Sequence, residues 1–154
     1  MKVKDIFTPS EVCTCTPETL WSEAAMLLIE KQLPAVPVVD IDGRIVGVLS
    51  EKDLFRALFP LYKDWMEAPH AYNDLETMEQ EARANAVSRT VREIMSPRTL
   101  TADLETPVLK VGALMSASGI HQVPVVQDGK LIGMVGRKTI YHAILTKYFQ
   151  INKE

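Results

Sequence analysis

The stretch AVPVVDIDGRIVGVLS (residues 35–50) decides the fold, because it returns later in the chain as QVPVVQDGKLIGMVG (residues 122–136). Each copy contains the run VPVV, which is short, apolar and β-branched, and such a run predicts a buried strand. An Asp-Gly turn and a second apolar run follow, so each copy predicts two strands joined by a tight turn. Pro37 cannot donate a ladder hydrogen bond, which predicts an edge strand or an unpaired position for the proline.

The repetition extends to both sides of this stretch. Residues 3–9 (VKDIFTP) match residues 91–97 (VREIMSP), and residues 50–58 (SEKDLFRAL) parallel residues 136–144 (GRKTIYHAI). The order is conserved between the copies, so the chain holds two copies of a unit of roughly 55 residues. We predict three parts: repeat 1 over residues 1–58, a helical connector over residues 59–90, and repeat 2 over residues 91–154.

Within each repeat the pattern predicts the order strand, helix, strand, strand, helix. The first strand is expected at residues 11–15, and Thr19 is expected to cap a helix that runs to about Lys31. Thr106 and Pro107 are expected to begin the counterpart helix. A small sheet with helices on one face leaves its other face bare, and a second copy can cover it. We therefore predict an α+β fold in which the repeats pack sheet to sheet with pseudo-two-fold symmetry.

Composition excludes several classes of function. The chain has 154 residues, a net charge of −3 and a pI near 5.7, so it lacks the basic field of a nucleic-acid binder. It has no apolar run approaching the ~20 residues of a membrane helix and no signal peptide, which predicts a cytoplasmic protein without a membrane partner. Cys13 and Cys15 lack the spacing of a metal site. No nucleophilic triad or glycine-rich phosphate loop is present, so we predict no enzyme and no metal.

The connector has a pattern of its own. Asn73 and Glu76 have the spacing of a capping box, and they predict a helix from about Asp74 to Val87. The segment is acidic and contains aromatic side chains at Tyr62, Trp65 and Tyr72. Two interpretations stay open: the helix packs back on its own module, or it forms a docking surface for a dimer mate or an effector.

The full series of motifs, appearing twice, resembles the CBS repeat named after cystathionine β-synthase, and the pair resembles a Bateman module. The resemblance covers residues 3–58 and 91–148. It implies a regulatory, non-enzymatic module that binds AMP, ADP, ATP or an S-adenosyl compound between its repeats. The nucleotide would be a regulatory ligand and not a cofactor. The resemblance also implies a homodimer that signals by conformational change to a separate, unknown effector protein. A ligand-free structural or dimerisation module is the alternative.

The candidate site is centred on Ser50 and Asp53. Ser50 falls where a strand ends and a helix begins, a position that favours an anion. In the CBS family, the Ser/Thr and the Asp of this motif hold phosphate and ribose, and both residues match here. The alternative is that Ser50 and Asp53 only cap the helix. In the second repeat Gly136 and Thr139 stand at these positions, which predicts one good site per chain.

The remaining candidate ligand-binding residues are placed by position alone. The base is expected against the end of the first strand and the start of the second, with His121 nearby, and the phosphates near basic side chains. The expected wall is Thr14, Cys15, Thr16, Pro34 and Ala35. The basic candidates are Lys52, Arg137 and Lys138. The two basic residues in repeat 2 begin a helix, where cations are unfavourable. They therefore indicate either a nearby anion or simple solvation.

Overall fold

The structure is a computed structural model and describes residues 1–59, 67, 75–97 and 99–151. The helices are α1 (Trp21–Lys31), α2 (Glu51–Leu58), α3 (Leu75–Ala86), α4 (Val108–Ser118) and α5 (Arg137–Tyr148). The strands are β1 (Ala35–Val39), β2 (Ile45–Ser50), β3 (Gln122–Gln127) and β4 (Lys130–Gly136). Short 3-10 turns stand at Val3–Asp5 and Val91–Glu93. The predicted α+β class is confirmed. Within these residues, no helix is long and apolar enough to cross a membrane.

The two VPVV runs form strands, each paired with the strand that follows. β1 pairs with β2 and β3 pairs with β4, and the second pair is antiparallel with Val123 opposite Val135. Asp128 (φ 53°) and Gly129 (φ 77°) form the turn between β3 and β4. Two positive φ values in a two-residue turn match the right-handed twist of a hairpin, so the predicted tight turn is present.

The predicted first strand of each repeat is reduced to a single bridge. Cys15 pairs with Val38, and its N–H donates to the Pro37 carbonyl at 3.1 Å. Ala102 pairs with Val125 in the same way and donates to Pro124 at 2.9 Å. Each proline thus directs its carbonyl away from its hairpin partner, toward the bridge. The N–H that proline lacks would point to the same side, so its absence removes no hydrogen bond from the hairpin. The strand predicted over residues 11–15 is therefore wrong in length.

The predicted helix caps at Thr19 and Thr106 are also wrong. The Thr19 hydroxyl accepts the Thr16 N–H at 3.0 Å, and the Thr106 hydroxyl accepts the Asp103 N–H at 3.0 Å. Each threonine thus closes the turn that lies between the strand bridge and the following helix. α1 begins one residue later than expected, after Leu20, whose N–H donates to the Glu23 carboxylate at 3.1 Å. In α4 Pro107 is the cap rather than the first helical residue.

The residues cluster into two compact units that do not follow the repeat boundaries. Unit 1 contains Met1–Val12, Asp42–Ile45 and Thr99–Glu154, and unit 2 contains Cys13–Ile41 and Val46–Arg98. The two leading segments, residues 1–7 and 89–95, therefore belong to the core of the other repeat. Val3 is fully buried in the core of unit 1, and Val91 is fully buried in the core of unit 2.

Both leading segments dock through equivalent backbone hydrogen bonds. In unit 1 the Val3 N–H donates to the Thr106 carbonyl at 2.9 Å, and in unit 2 the Val91 N–H donates to the Thr19 carbonyl at 2.8 Å. Ion pairs reinforce both contacts, from Lys4 to Glu105 and from Arg92 to Glu18. The sequence repeats and the compact units are consequently different divisions of one chain.

The connector contains α3, close to the helix predicted for residues 74–87. α3 lies in unit 2, where it contacts α1 and α2, and Ala82 on its inner face is buried. This contact agrees with a helix that packs back on its own module. Asn73, Asp74, Tyr62, Trp65 and Tyr72 lie outside the described residues.

Candidate functional site

Ser50 and Asp53 form a closed hydrogen-bonded pair at the start of α2. Ser50 is the last residue of β2 and has an extended backbone (φ −116°, ψ 161°), which is the conformation that a helix cap requires. Its hydroxyl accepts the Asp53 N–H at 3.2 Å. In return, Asp53 Oδ2 accepts the Ser50 N–H at 2.8 Å and the Ser50 hydroxyl at 2.6 Å. The capping arrangement, one of the two interpretations of this motif, is therefore present.

The cap leaves part of the Asp53 carboxylate free. An ionised carboxylate has about four acceptor positions, and the bonds from Ser50 use Oδ2 alone. Oδ1 makes no hydrogen bond with the described residues, and the side chain of Asp53 is half-buried. The cap fixes the direction of the carboxylate, so capping and ligand binding are compatible roles for one residue.

The first amide of each repeat's last helix is already occupied. The Glu51 N–H donates to the Pro34 carbonyl at 3.1 Å, and the Arg137 N–H donates to the His121 carbonyl at 2.8 Å. Pro34 and His121 are thus equivalent positions that fix the loop before β1 or β3 against a helix start. The Asp53 N–H is used by the cap as well, so within the described residues Lys52 carries the first-turn amide of α2 that neither of these contacts occupies.

The expected wall of residues 14–16 lies along β1, but its middle member faces the core. Cys15 is 6% exposed and belongs to the core of unit 2, and burial raises the pKa of its thiol to about 11. Its N–H and C=O are both used by β1. Thr14 and Thr16 on either side are exposed, as is Pro34, while Ala35 is half-buried. Only the two threonines of this segment present side chains to solvent.

The start of α5 lacks every element of the Ser50–Asp53 pair. Gly136 caps the helix without a side-chain hydrogen bond. Thr139 instead lines an open groove of about 570 Å³ along α5, together with Met1, Ile6, His142, Ala143, Thr146 and Lys147. Arg137 and Lys138 are exposed, and neither has an acidic partner among the described residues. Nothing in the described chain neutralises these two cations.

Sequence reasoning missed the counterparts of Thr14 and Thr16 in repeat 2. Thr101 and Asp103 line a cavity of about 180 Å³ in unit 1 with Thr106, Lys110 and Val123. The two bridges, from Cys15 to Val38 and from Ala102 to Val125, set the spacing between the repeats in this region. Carrying the wall residues over at that spacing would have found Thr101 and Asp103.

The candidate residues fall into two groups, one in each compact unit. Unit 2 contains Ser50, Lys52, Asp53, Thr14, Cys15, Thr16, Pro34 and Ala35, and unit 1 contains His121, Arg137 and Lys138. No cluster of three metal-ligating side chains occurs in residues 1–59, 75–97 and 99–151. In each unit a residue of the loop before the first hairpin strand, Pro34 or His121, contacts the start of the last helix, whereas Cys15 contacts β1.

The fold and the two strand–helix junctions define a tandem pair of similar α+β repeats. The chain belongs to the CBS domain family, whose family model matches residues 3–60 and 91–146. Both repeats are therefore covered, and the tandem CBS pair inferred from the sequence motifs is confirmed.

Relatives of known structure share the pair. The chain is 29% identical to the chloroplastic CBS domain-containing protein CBSX2 of Arabidopsis thaliana, and the match covers 99% of this chain and 65% of CBSX2. Against CBSX2 solved in complex with AMP, identity is 28%, coverage is 96% and 98%, and the TM-score is 0.69. The CBS pair of protein MJ0100, solved with 5′-methylthioadenosine and S-adenosyl-L-methionine, gives 26% identity, coverage of 96% and 98%, and a TM-score of 0.65.

Proposed function

We propose that the chain is a non-enzymatic regulatory module that binds an adenine nucleotide on the Ser50–Asp53 pair and signals by a conformational change. The observation that carries the proposal is the Asp53 carboxylate, which is fixed by two hydrogen bonds from Ser50 and whose Oδ1 makes no hydrogen bond with the described residues. A fixed carboxylate with an open oxygen is suited to accept a hydrogen bond from a ribose hydroxyl. The AMP complex of the related CBSX2 supports an adenine nucleotide as the ligand.

The phosphate would lie over the first turn of α2. The helix dipole and the open Lys52 N–H favour an anion there, and the exposed Lys52 side chain adds a positive charge. Thr14, Thr16 and Pro34 are the exposed members of the expected wall and would contact the ligand. We expect one strong site per chain, because Gly136 and Thr139 supply neither the capping hydroxyl nor the carboxylate.

The proposal also covers the class of ligand, the oligomeric state and the effector protein. The S-adenosyl complex of MJ0100 favours a second ligand class, in which a sulfonium group takes the place of phosphate. Allosteric signalling requires the ligand to prefer one conformation of the module over another. We further propose a homodimer that acts on a separate effector protein in the cytoplasm.

Ligand-dependent thermal unfolding tests the proposal. We would compare the wild type with Asp53→Ala in the presence of AMP, ADP, ATP or S-adenosylmethionine. A ligand at 100 times its Kd stabilises the folded state by about 2.7 kcal/mol, which corresponds to a Tm increase of roughly 5–10 °C for a chain of this size. We expect that increase with one ligand class in the wild type and none in Asp53→Ala.

A matched control separates ligand binding from helix capping. Glu23 caps α1 of the same unit through its bond to the Leu20 N–H, so Glu23→Ala removes a capping carboxylate away from the candidate site. Both variants should lower the ligand-free Tm, but Glu23→Ala should keep the full ligand-induced increase. No increase with any of the four ligands in the wild type would favour the ligand-free structural module.

A further inference from the structure

The outer edge of β4 carries an open pair of backbone hydrogen-bonding groups at Met134. Met134 stands opposite Pro124 in the β3–β4 hairpin, and the Pro124 carbonyl is turned away from β4 to accept the Ala102 N–H. In an antiparallel pair of this kind, both opposite residues direct their N–H and C=O groups away from each other. The N–H and C=O of Met134 therefore point to the outer side of β4. Neither group of Met134 makes a hydrogen bond with another residue of the described chain.

The other repeat shows what fills this edge. There the leading segment continues past its 3-10 turn, and Ser96 pairs with Val48 of β2: the Val48 N–H donates to Ser96 at 3.1 Å and the Ser96 N–H donates to Val48 at 2.9 Å. Thr8 is the counterpart of Ser96 in the motifs VKDIFTP and VREIMSP. In unit 1, however, Thr8 is exposed and forms no bridge with Met134.

Phe7, the residue before Thr8, already lies against this edge of β4. Phe7 packs against Gly133, the neighbour of Met134: a Cβ placed on Gly133 would lie 2.4 Å from the Phe7 ring. Met95 packs against Gly47 in the same manner. Thr8 also precedes Pro9, which restricts Thr8 to the extended region that a strand bridge requires, and its β-branched side chain favours that region too.

We propose that residues 8–10 are a strap that closes onto the edge of β4. In the closed state the Thr8 N–H donates to the Met134 carbonyl and the Met134 N–H donates to the Thr8 carbonyl, as Ser96 and Val48 do. Closure covers a sheet edge that would otherwise stay open to another chain. It also restrains the segment leading to Thr14 and Thr16. The inference does not depend on which ligand the module binds.

Disulfide trapping tests the strap. Residues that exchange two backbone bonds have Cα atoms about 5.5 Å apart, within the range that a disulfide spans. In a Cys13→Ser, Cys15→Ala background, we would follow oxidation of Thr8→Cys/Met134→Cys by oxidised glutathione with mass spectrometry. Ser96→Cys/Val48→Cys is the positive control, because that bridge is formed. Ser10→Cys/Met134→Cys is the control for random collision, because Ser10 is out of register.

We expect the Thr8 pair to oxidise at least roughly ten-fold faster than the Ser10 pair, because a register-specific contact raises the effective concentration of one thiol near the other. Equal rates for the Thr8 and Ser10 pairs would overturn the strap.

Amide exchange in the protein without introduced cysteines is the second measurement. The Met134 amide should exchange faster than the Val48 amide but more slowly than a free amide, and Thr8→Pro should accelerate it by removing one of the two bonds. An unchanged Met134 rate in Thr8→Pro would also overturn the proposal.

Discussion

The Asp53 carboxylate of this chain is held by Ser50 through one oxygen, at 2.8 Å from the Ser50 amide and 2.6 Å from its hydroxyl. The same contact therefore starts α2 and aims the second carboxylate oxygen. The corresponding residues of repeat 2, Gly136 and Thr139, make no such contact. Duplication has thus left two strand–helix junctions with the same backbone and different side-chain chemistry.

The missing cap can be rebuilt. Gly136 has an ordinary extended backbone (φ −87°, ψ 153°), and a Cβ added there would meet no heavy atom within 4 Å. The double change Gly136→Ser/Thr139→Asp should recreate the Ser50–Asp53 pair at α5 and stabilise the fold by about 1 kcal/mol. Urea unfolding would measure the gain. Thr139→Asp alone is the control and should gain less, because it lacks the hydroxyl partner.

The contact between Phe7 and Gly133 predicts a steric effect. Gly133→Ala would place a methyl group 2.4 Å from the Phe7 ring, and such overpacking costs about 1–3 kcal/mol. Gly136→Ala is the matched control, since space is open there. Adding Phe7→Leu should recover part of the loss at Gly133. If Gly133→Ala and Gly136→Ala gave equal denaturant midpoints, Phe7 would not pack closely on β4.

Glu105 predicts a stability change at acid pH. Hydrogen bonds from Lys2 and Lys4 lower the pKa of Glu105 from 4.5 to about 2. A carboxyl whose pKa is lower in the folded state stabilises the fold above its unfolded pKa and loses that contribution as the pH falls. Glu105→Gln should therefore reduce stability above pH 4.5, and its difference from the wild type should shrink as the pH falls from 4.5 and vanish once the pH passes below about 2.

Urea midpoints between pH 2 and pH 6 would measure this effect. Because these side chains are exposed, 1 M NaCl should remove most of the difference. A difference between Glu105→Gln and the wild type that persists unchanged at pH 2 would show that the ion pair is not its source.

Local patterns were predictable from the sequence, and their causes are local. The VPVV runs, the Asp-Gly turn and the helix near residues 74–87 depend on periodicity and turn chemistry within a few residues. The spacing of Ser50 and Asp53 likewise indicated a capping box, because both partners lie in one helical turn. The position of Thr19 was misjudged because a hydroxyl before a helix can either cap it or close the preceding turn.

The exchange of leading segments could not be predicted. The segments VKDIFTP and VREIMSP are so similar that their composition does not indicate which core each one packs against. The core that each segment joins depends on contacts between residues about 70 or more positions apart, such as Val91 with Thr19. Burial of Cys15 could not be predicted for a related reason. A strand reduced to one bridge shows no alternation of apolar and polar residues, so the sequence does not indicate which of its side chains faces the core.

Trp21 makes two contacts with the leading segment of unit 2, and their contributions to stability can be measured separately. Its indole N–H donates to the Thr90 carbonyl at 2.9 Å, and the Arg89 guanidinium lies over its ring at 5.8 Å from the centroid. Trp21→Phe keeps an aromatic ring but leaves the carbonyl without this donor, so we expect a loss of about 1–2 kcal/mol in urea unfolding. Arg89→Gln removes the cation over the ring together with the exposed ion pair from Arg89 to Glu93 at 3.1 Å, and should cost less, about 0.5–1 kcal/mol. A larger loss in Arg89→Gln than in Trp21→Phe would mean that the Arg89 side chain, and not the indole hydrogen bond, is the main contact that holds the segment.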